Sequence, residues 1–320
     1  MLISVTLMGV IVIALYSVFN VTQKALRASV TQVDVMDAGR AAMDVLSRDL
    51  EQLVYYSRAN GTNLLAELLP ANVPAVIQDD ANGVPIQTNT LHSLFLLSKL
   101  NKEWIGTGYI VMSQNTNGVP ILPPNGIGTL YRYSTNIHSS RLPSNNVVRP
   151  FLNVRTEAYN ATPSLRADTA SGRLLLDSLR RVGDGIVHLR LRAYDDTGRP
   201  YLFGYPNNLY IKSDPYQFIG PSERIWKGAR TNADPNNIEI RRQNRQTAKS
   251  ETVQETEFLF MSNALPASVE IELGVLEPDA LKQYLAMRDS PSDVANSFLR
   301  KQAGKVHVFR KRIPIRANPQ

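Results

Sequence analysis

Four histidines, His92, His138, His188 and His307, are the side chains best suited to proton transfer or metal ligation near neutral pH. They are scattered, and none lies in an HExxH or comparable ligand spacing. His188 shares the polar face of an alternating segment with Arg190 and Arg192, which suits an exposed or cross-strand partner better than a catalytic base. Gly106-Thr107-Gly108 and Gly126-Ile127-Gly128 are GxG pairs, but the second has Tyr131 where a dinucleotide loop needs its third glycine, so both read as turns. Asp195 and Asp196 offer the clustered carboxylates that hard cations take. The other ligands of an EF-hand loop are missing, and Asp195 to Gly198 reads as a β-turn. There is no GxSxG elbow and no Walker A loop. The expectation is therefore no catalytic, cofactor-binding or metal-binding residue, no cofactor, and no enzyme. Asn60-Gly61-Thr62 and Asn160-Ala161-Thr162 match the glycosylation sequon, a three-residue pattern of low specificity.

Charge gives a second kind of chemistry. The chain of 320 residues carries a formal +7 and no cysteine, which excludes disulfide staples and thiolate metal sites but not an oxidising compartment. Arg300, Lys301, Lys305, Arg310, Lys311, Arg312 and Arg316 fall in a C-terminal stretch without a single acid. A second basic stretch runs from Arg224 to Lys249. Solvated strand edges and loops account for both; nucleic acid or anionic lipid would bind through them if either binds at all.

The elements that must carry these residues begin with an uncharged run from Met1 to Gln23, with Lys24 the first charge. About 20 such residues cross a bilayer core. A cleaved signal would want a basic start and a small-x-small site, neither of which is present, and a buried core helix is the other rival. Beyond Lys24, apolar residues recur at Val33, Met36, Met43, Leu46, Leu50 and Leu53, with charges on other faces and no proline before Pro70. Residues 2–58 are expected to form one rod of roughly 85 Å, apolar all round over 1–23 and one-sided over 24–58.

Residues 59–320 are expected to form one α+β domain. A short helical turn is predicted around Leu64 to Leu69, then strands at Leu91 to Leu100, Trp104 to Ser113 and Thr129 to Tyr133. A short helix is predicted from Leu174 to Arg181. A cleanly alternating strand follows, with Val187, Leu189, Leu191 and Ala193 on one face. Residues 203–253, rich in Asn, Pro, Gln and Arg, read as an insertion or surface loop. Ala267 to Val275 and Lys305 to Ile315 are the last strands, separated by a helix interrupted near Pro291. The order of elements predicts a long N-terminal helix packed on a mostly antiparallel sheet.

Several phrases resemble type IV pilin-like proteins, and among them the J-type minor pseudopilin of type II secretion. Leu2-Ile3-Ser4-Val5-Thr6-Leu7-Met8-Gly9 is similar to the run that follows the family's glutamate. Asp44, Leu46, Arg48, Asp49 and Leu50 resemble the end of the J-type helix, and Tyr109-Ile110-Val111 with Leu130-Tyr131-Arg132 its paired strands. Leu189 to Gly198 and Leu265-Pro266-Ala267-Ser268-Val269 look like later strand phrases of that family. The basic leader and the glutamate do not precede this run, so the expectation is that Met1 is a misassigned start or that the sequence begins inside the mature helix.

The resemblance implies a pilin-like fold and a non-enzymatic subunit of the pilus-like filament, at its tip complex. It implies a bacterial inner-membrane protein with a single span and a periplasmic C-terminal domain. Partners would be other pseudopilins or pilins, membrane lipid and secreted substrate. Leu2, Ile3, Val5, Leu7, Val10, Ile13 and Leu15 are the residues expected to pack in membrane and filament. Met36, Met43, Leu46, Leu50 and Leu53 are expected to dock the helix on the sheet. Two other readings stay open: a minor pilin of a type IV pilus or DNA-uptake system, and a single-pass membrane-anchored envelope enzyme.

Overall fold

The computed structural model describes residues 2–56, 61–68, 76–79, 85–114, 120–123, 126–138, 179–201, 224–226, 238–246, 252–287 and 292–316. Both sequons reach outside these ranges, as does the 174–178 part of the helix predicted at Leu174 to Arg181.

A proline-free N-terminal segment forms helix α1, Leu2–Glu51, whose 50 residues span about 75 Å at 1.5 Å each. The helix stops short of Arg58. Its last turn tightens as Gln52 and Leu53 donate to the carbonyls of Asp49 and Leu50 (3.2 and 3.1 Å), and Val54 N then donates to Leu97 O at 3.0 Å. A strand edge at Leu97 and Ser98 thus captures the chain, and Leu53 is buried as a bridge partner of Ser98 rather than as a helical residue.

The strands are β1 (Thr62–Leu68), β2 (Val76–Asp79), β3 (Pro85–Thr88), β4 (His92–Leu100), β5 (Glu103–Gln114), β6 (Pro120–Ile121), β7 (Gly128–His138) and β8 (Leu179–Tyr194). Then come β9 (Arg224–Trp226), β10 (Ile238–Gln246), β11 (Thr252–Met261) and β12 (Ser268–Leu276). Helices α2 (Pro278–Ala286) and α3 (Ser292–Lys301) precede the last strand, β13 (Val306–Pro314). The main sheet runs β13-β12-β8-β7-β5-β4-β1-β11-β10-β9, antiparallel throughout, with β6 on the end of β5; β2 and β3 form a separate hairpin. The fold is therefore α+β: one long N-terminal helix and a mostly antiparallel sheet.

That sheet has to curl. In strand order β11 and β12 stand six spacings apart, about 29 Å if the sheet were flat, while residues 262–267 joining them reach at most about 25 Å. The curl also returns the start of β4 to β8, where Leu189 N donates to Thr90 O at 2.7 Å. Asn63, fully buried, fixes the junction: its amide donates to Ser262 O (2.7 Å) and Ala264 O (2.9 Å), and its carbonyl accepts from Tyr56 N (2.8 Å). Inside the curl, Leu46 and Leu50 of α1 pack with Leu94, Tyr109, Leu130, Leu189 and Ile271.

Four expectations are corrected. Leu64 to Leu68 is strand β1, between β4 and β11, not a turn of helix. Leu64 and Leu65 are buried on opposite faces, and a run apolar on both sides carries no period that separates strand from helix. Leu179 to Arg181 opens β8, paired with Tyr133 to Tyr131 of β7, where a helix was predicted. Within 203–253 the described residues are strands β9, β10 and the start of β11 rather than surface loop, concealed by their polar composition; the rest of that stretch lies outside the described residues. A β-bulge between the Gly274 and Val275 pairings turns Val187 away from Leu189, into a cluster with Ile127, Leu276, Ala280, Tyr284 and Leu299.

Candidate functional site

The first half of α1 is long and apolar enough to cross a membrane, a test that a signal sequence near an N terminus passes equally. None of this apolar stretch is buried within the structure. Leu7, Val10, Ile13 and Leu15 are 63%, 65%, 71% and 64% exposed, on every side of the helix. Leu2, Ile3 and Val5 lie on the first turns of α1, and their side chains fall outside the described residues. So much bare apolar surface is costly in water, at roughly 25 cal/mol per Å².

The second half is docked. Val35, Ala42, Met43, Leu46 and Leu50 are buried, Met36 is half-buried, and Ser47 satisfies its hydroxyl on Met43 O at 2.6 Å. Where α1 crosses β13 the helix position is Gly39, and a Cβ there would sit 2.1 Å from the Phe309 ring. A larger residue there would require the Phe309 ring to shift. Ala42 lies over Gly183 of β8, where a Cβ would make only an ordinary contact at 3.8 Å.

A polar lock ends this interface. Asp49 falls inside the apolar stripe between Leu46 and Leu50 and is buried. Tyr109 Oη of β5 donates to Asp49 Oδ2. Arg132 of β7 donates through Nε to Oδ2 at 2.7 Å and through a terminal nitrogen to Oδ1 at 3.2 Å. Burial, then the charge of Asp49 beside it, pushes the Tyr109 phenol well above the ordinary tyrosine range. The hydrogen bond to Asp49 likewise raises the Arg132 guanidinium, against the effect of burial. Tyr109 thus stays a neutral donor and Arg132 a cation at any physiological pH. Asp49 thereby ties α1 to two strands of the sheet through three hydrogen bonds. Three separate sequence phrases converge here, and the signal available beforehand was an acid set in an apolar stripe.

Three of the histidines have described partners. Thr90 N donates to His188 Nδ1 at 3.1 Å and Leu191 N donates to His92 Nδ1 at 3.2 Å, so two buried rings close the seam between β4 and β8 from opposite sides. His188 Nε2 stands 3.6 Å from Glu272 Oε2, which makes it a buried cross-strand neighbour of a carboxylate. The His188 ring lowers the Glu272 carboxyl to about 2, opposed by burial and helped by Arg192 and Arg310. His307 Nε2 meets Glu277 Oε1 at 3.1 Å. His138 ends β7, with its side chain outside the described residues.

Asp195 Oδ1 accepts from Thr197 Oγ1 (2.8 Å) and Arg199 N (2.7 Å), and Gly198 takes a φ of +81°. This is the hairpin turn. Among the described residues no group of three or more His, Asp or Glu side chains is placed to hold a metal ion. Gly106 and Gly108 lie within β5, paired on both sides, where a turn was expected; Gly126, at φ +70°, does turn the chain into β7.

The chain matches no protein-family model, no curated protein and no solved structure.

Proposed function

We propose that this chain is a non-enzymatic minor pseudopilin, a subunit of the tip complex of the pilus-like filament of a type II secretion system, held in the bacterial inner membrane before assembly. The observation that carries the reading is one continuous helix with two surroundings. Its first half is bare and apolar all round, while its second half is fixed to a folded sheet by Gly39, Leu46, Leu50 and Asp49. Lipid solvates such a bare helix, which leaves lipid only where neighbouring apolar helices replace that environment. A rigid join then transmits the position of the helix to the domain outside. The phrases around Leu7, Asp49, Tyr109 and Arg132 that resemble the J-type pseudopilin add to this support.

The chain has no cysteine, so Ile13→Cys provides a single thiol in the middle of the bare segment. Expressed beside its neighbouring genes, this variant is expected to form oxidative or bifunctional crosslinks to other apolar helices. Leu7→Lys and Val10→Asp are expected to release the chain from the membrane fraction while the unfolding midpoint of the domain stays unchanged. Unchanged fractionation would sink the membrane reading. A thiol that reacts only as a monomer in lipid would leave an anchor without a filament.

A further inference from the structure

The outermost strand of the sheet, β13, pairs among the described residues with β12 alone, so one of its edges is unpartnered. Its orientation follows from two fixed points. Ile315 N donates to Ala267 O at 2.9 Å, and Lys305 O accepts from Glu277 N at 3.0 Å, so the odd-numbered residues turn their backbone groups toward β12. By the alternation of an antiparallel ladder, Val306, Val308, Arg310 and Arg312 turn theirs outward. Pro314 occupies the next outward position, where its missing N–H costs nothing and ends the free rung.

The side chains on this edge set the chemistry of what pairs with it. Val308 is 54% exposed, a large apolar side chain at the centre of the edge. Arg310 and Arg312 share its face, opposite Glu272 and Glu270 of β12, with Arg190 and Arg192 of β8 beyond them. Four guanidiniums thus stand over two carboxylates, and the stretch from Val294 to Gln320 contributes no acid. The acids are already engaged: Arg192 Nη1 is 3.2 Å from Glu270 and 3.7 Å from Glu272, and Arg310 bonds Glu272. Arg312 donates to Ser268 Oγ at 2.8 Å and lies 3.8 Å over the Tyr194 ring, with no ion pair to it among the described residues. A second copy of β13 added antiparallel in a register centred on Arg310 or Lys311 would set basic residues against basic residues and be repelled.

We infer that the free edge of β13 receives, by strand addition, an extended acidic segment of a partner protein. Acids would stand opposite Arg310 and Arg312 and an apolar residue beside Val308, with the outward backbone groups of Val306 to Arg312 supplying the ladder. The inference does not rest on the filament reading.

The probe is a labelled peptide with glutamate, glutamate and valine at successive alternate positions and threonine between them, titrated against the full chain in neutral detergent micelles by fluorescence anisotropy, with lysine in place of both glutamates as the control. The acidic peptide is expected to bind and to weaken several-fold between low and about 0.5 M salt, and the basic one not to bind. Val308→Pro removes an outward donor without touching the inner ladder, and is expected to weaken binding about fivefold or more. Hydrogen exchange on the unmodified chain gives a second readout: amides of Val308, Arg310 and Arg312 exchange faster than those of Phe309, Lys311 and Ile313, and slow when the acidic peptide is added. Outward amides already protected in the free chain, equal binding of both peptides, or binding without new protection would each overturn the proposal.

Discussion

Asp49→Ala removes the only charged side chain inside the docked stripe of α1, and the cost follows from what it leaves behind. Tyr109 is fully buried, so its hydroxyl loses its acceptor with no water to replace it, worth about 1–3 kcal/mol. Arg132 loses two hydrogen bonds, but its side chain is 28% exposed and regains water in part, so the ~3–5 kcal/mol typical of breaking a buried pair is discounted here. The sum is on the order of 3 kcal/mol, a large share of the ~5–15 kcal/mol that holds an ordinary domain together. Asp49→Asn keeps the shape and an acceptor for Tyr109 and is expected to cost roughly half as much. The assay is guanidinium unfolding of the full chain in detergent micelles, followed by near-ultraviolet circular dichroism. Tyr109→Phe, alone and combined with Asp49→Ala, completes a double-mutant cycle. A coupling of about 1 kcal/mol or more is expected, because the two side chains share one hydrogen bond. A loss below about 0.5 kcal/mol for Asp49→Ala, or additive effects in the double variant, would refute the lock.

Two further outcomes follow from the same geometry. Glu272 has its folded carboxyl lowered to about 2 from an ordinary 4.5, so its contribution to stability is complete above pH 4.5 and is lost as pH falls toward 2; Glu272→Gln should flatten that acid limb, and chemical denaturation across pH 2–6 measures it. Gly39→Leu would drive a side chain into the Phe309 ring and is expected to cost at least about 1–3 kcal/mol, with faster hydrogen exchange along β13 as the reporter; unchanged exchange would mean the helix does not bear on that strand.

Periodicity carried the parts of the fold in which one face is wet and the other dry. The stripe of α1 is of that kind, and the structure has a helix there; Ala267 to Val275 was legible as strand β12 because polar and apolar types alternate, although both of its faces are largely buried. Periodicity failed where both faces are apolar and buried, as at Leu64 and Leu65 of β1, and where polar residues run through hairpin strands, as at Arg241 to Asn244 of β10. At Val187 a bulge broke the register, and a bulge is set by the neighbouring strand rather than by the residue itself.

By itself the sequence determined that the chain opens with a helix apolar on every side, that an amphipathic half continues it, and that a mainly antiparallel sheet follows, because these depend on neighbours one or two turns away. Tertiary structure decided where the helix stops, since the carbonyl of Leu97 takes the chain at Val54. It also decided that Asp49, Tyr109 and Arg132 meet, and that His92 and His188 face each other across a seam. Those contacts join residues dozens of positions apart through the curl of one sheet. Their spacing along the chain holds no record of them, because the curl is fixed by six residues, Ser262 to Ala267, that have to close a distance the flat sheet could not.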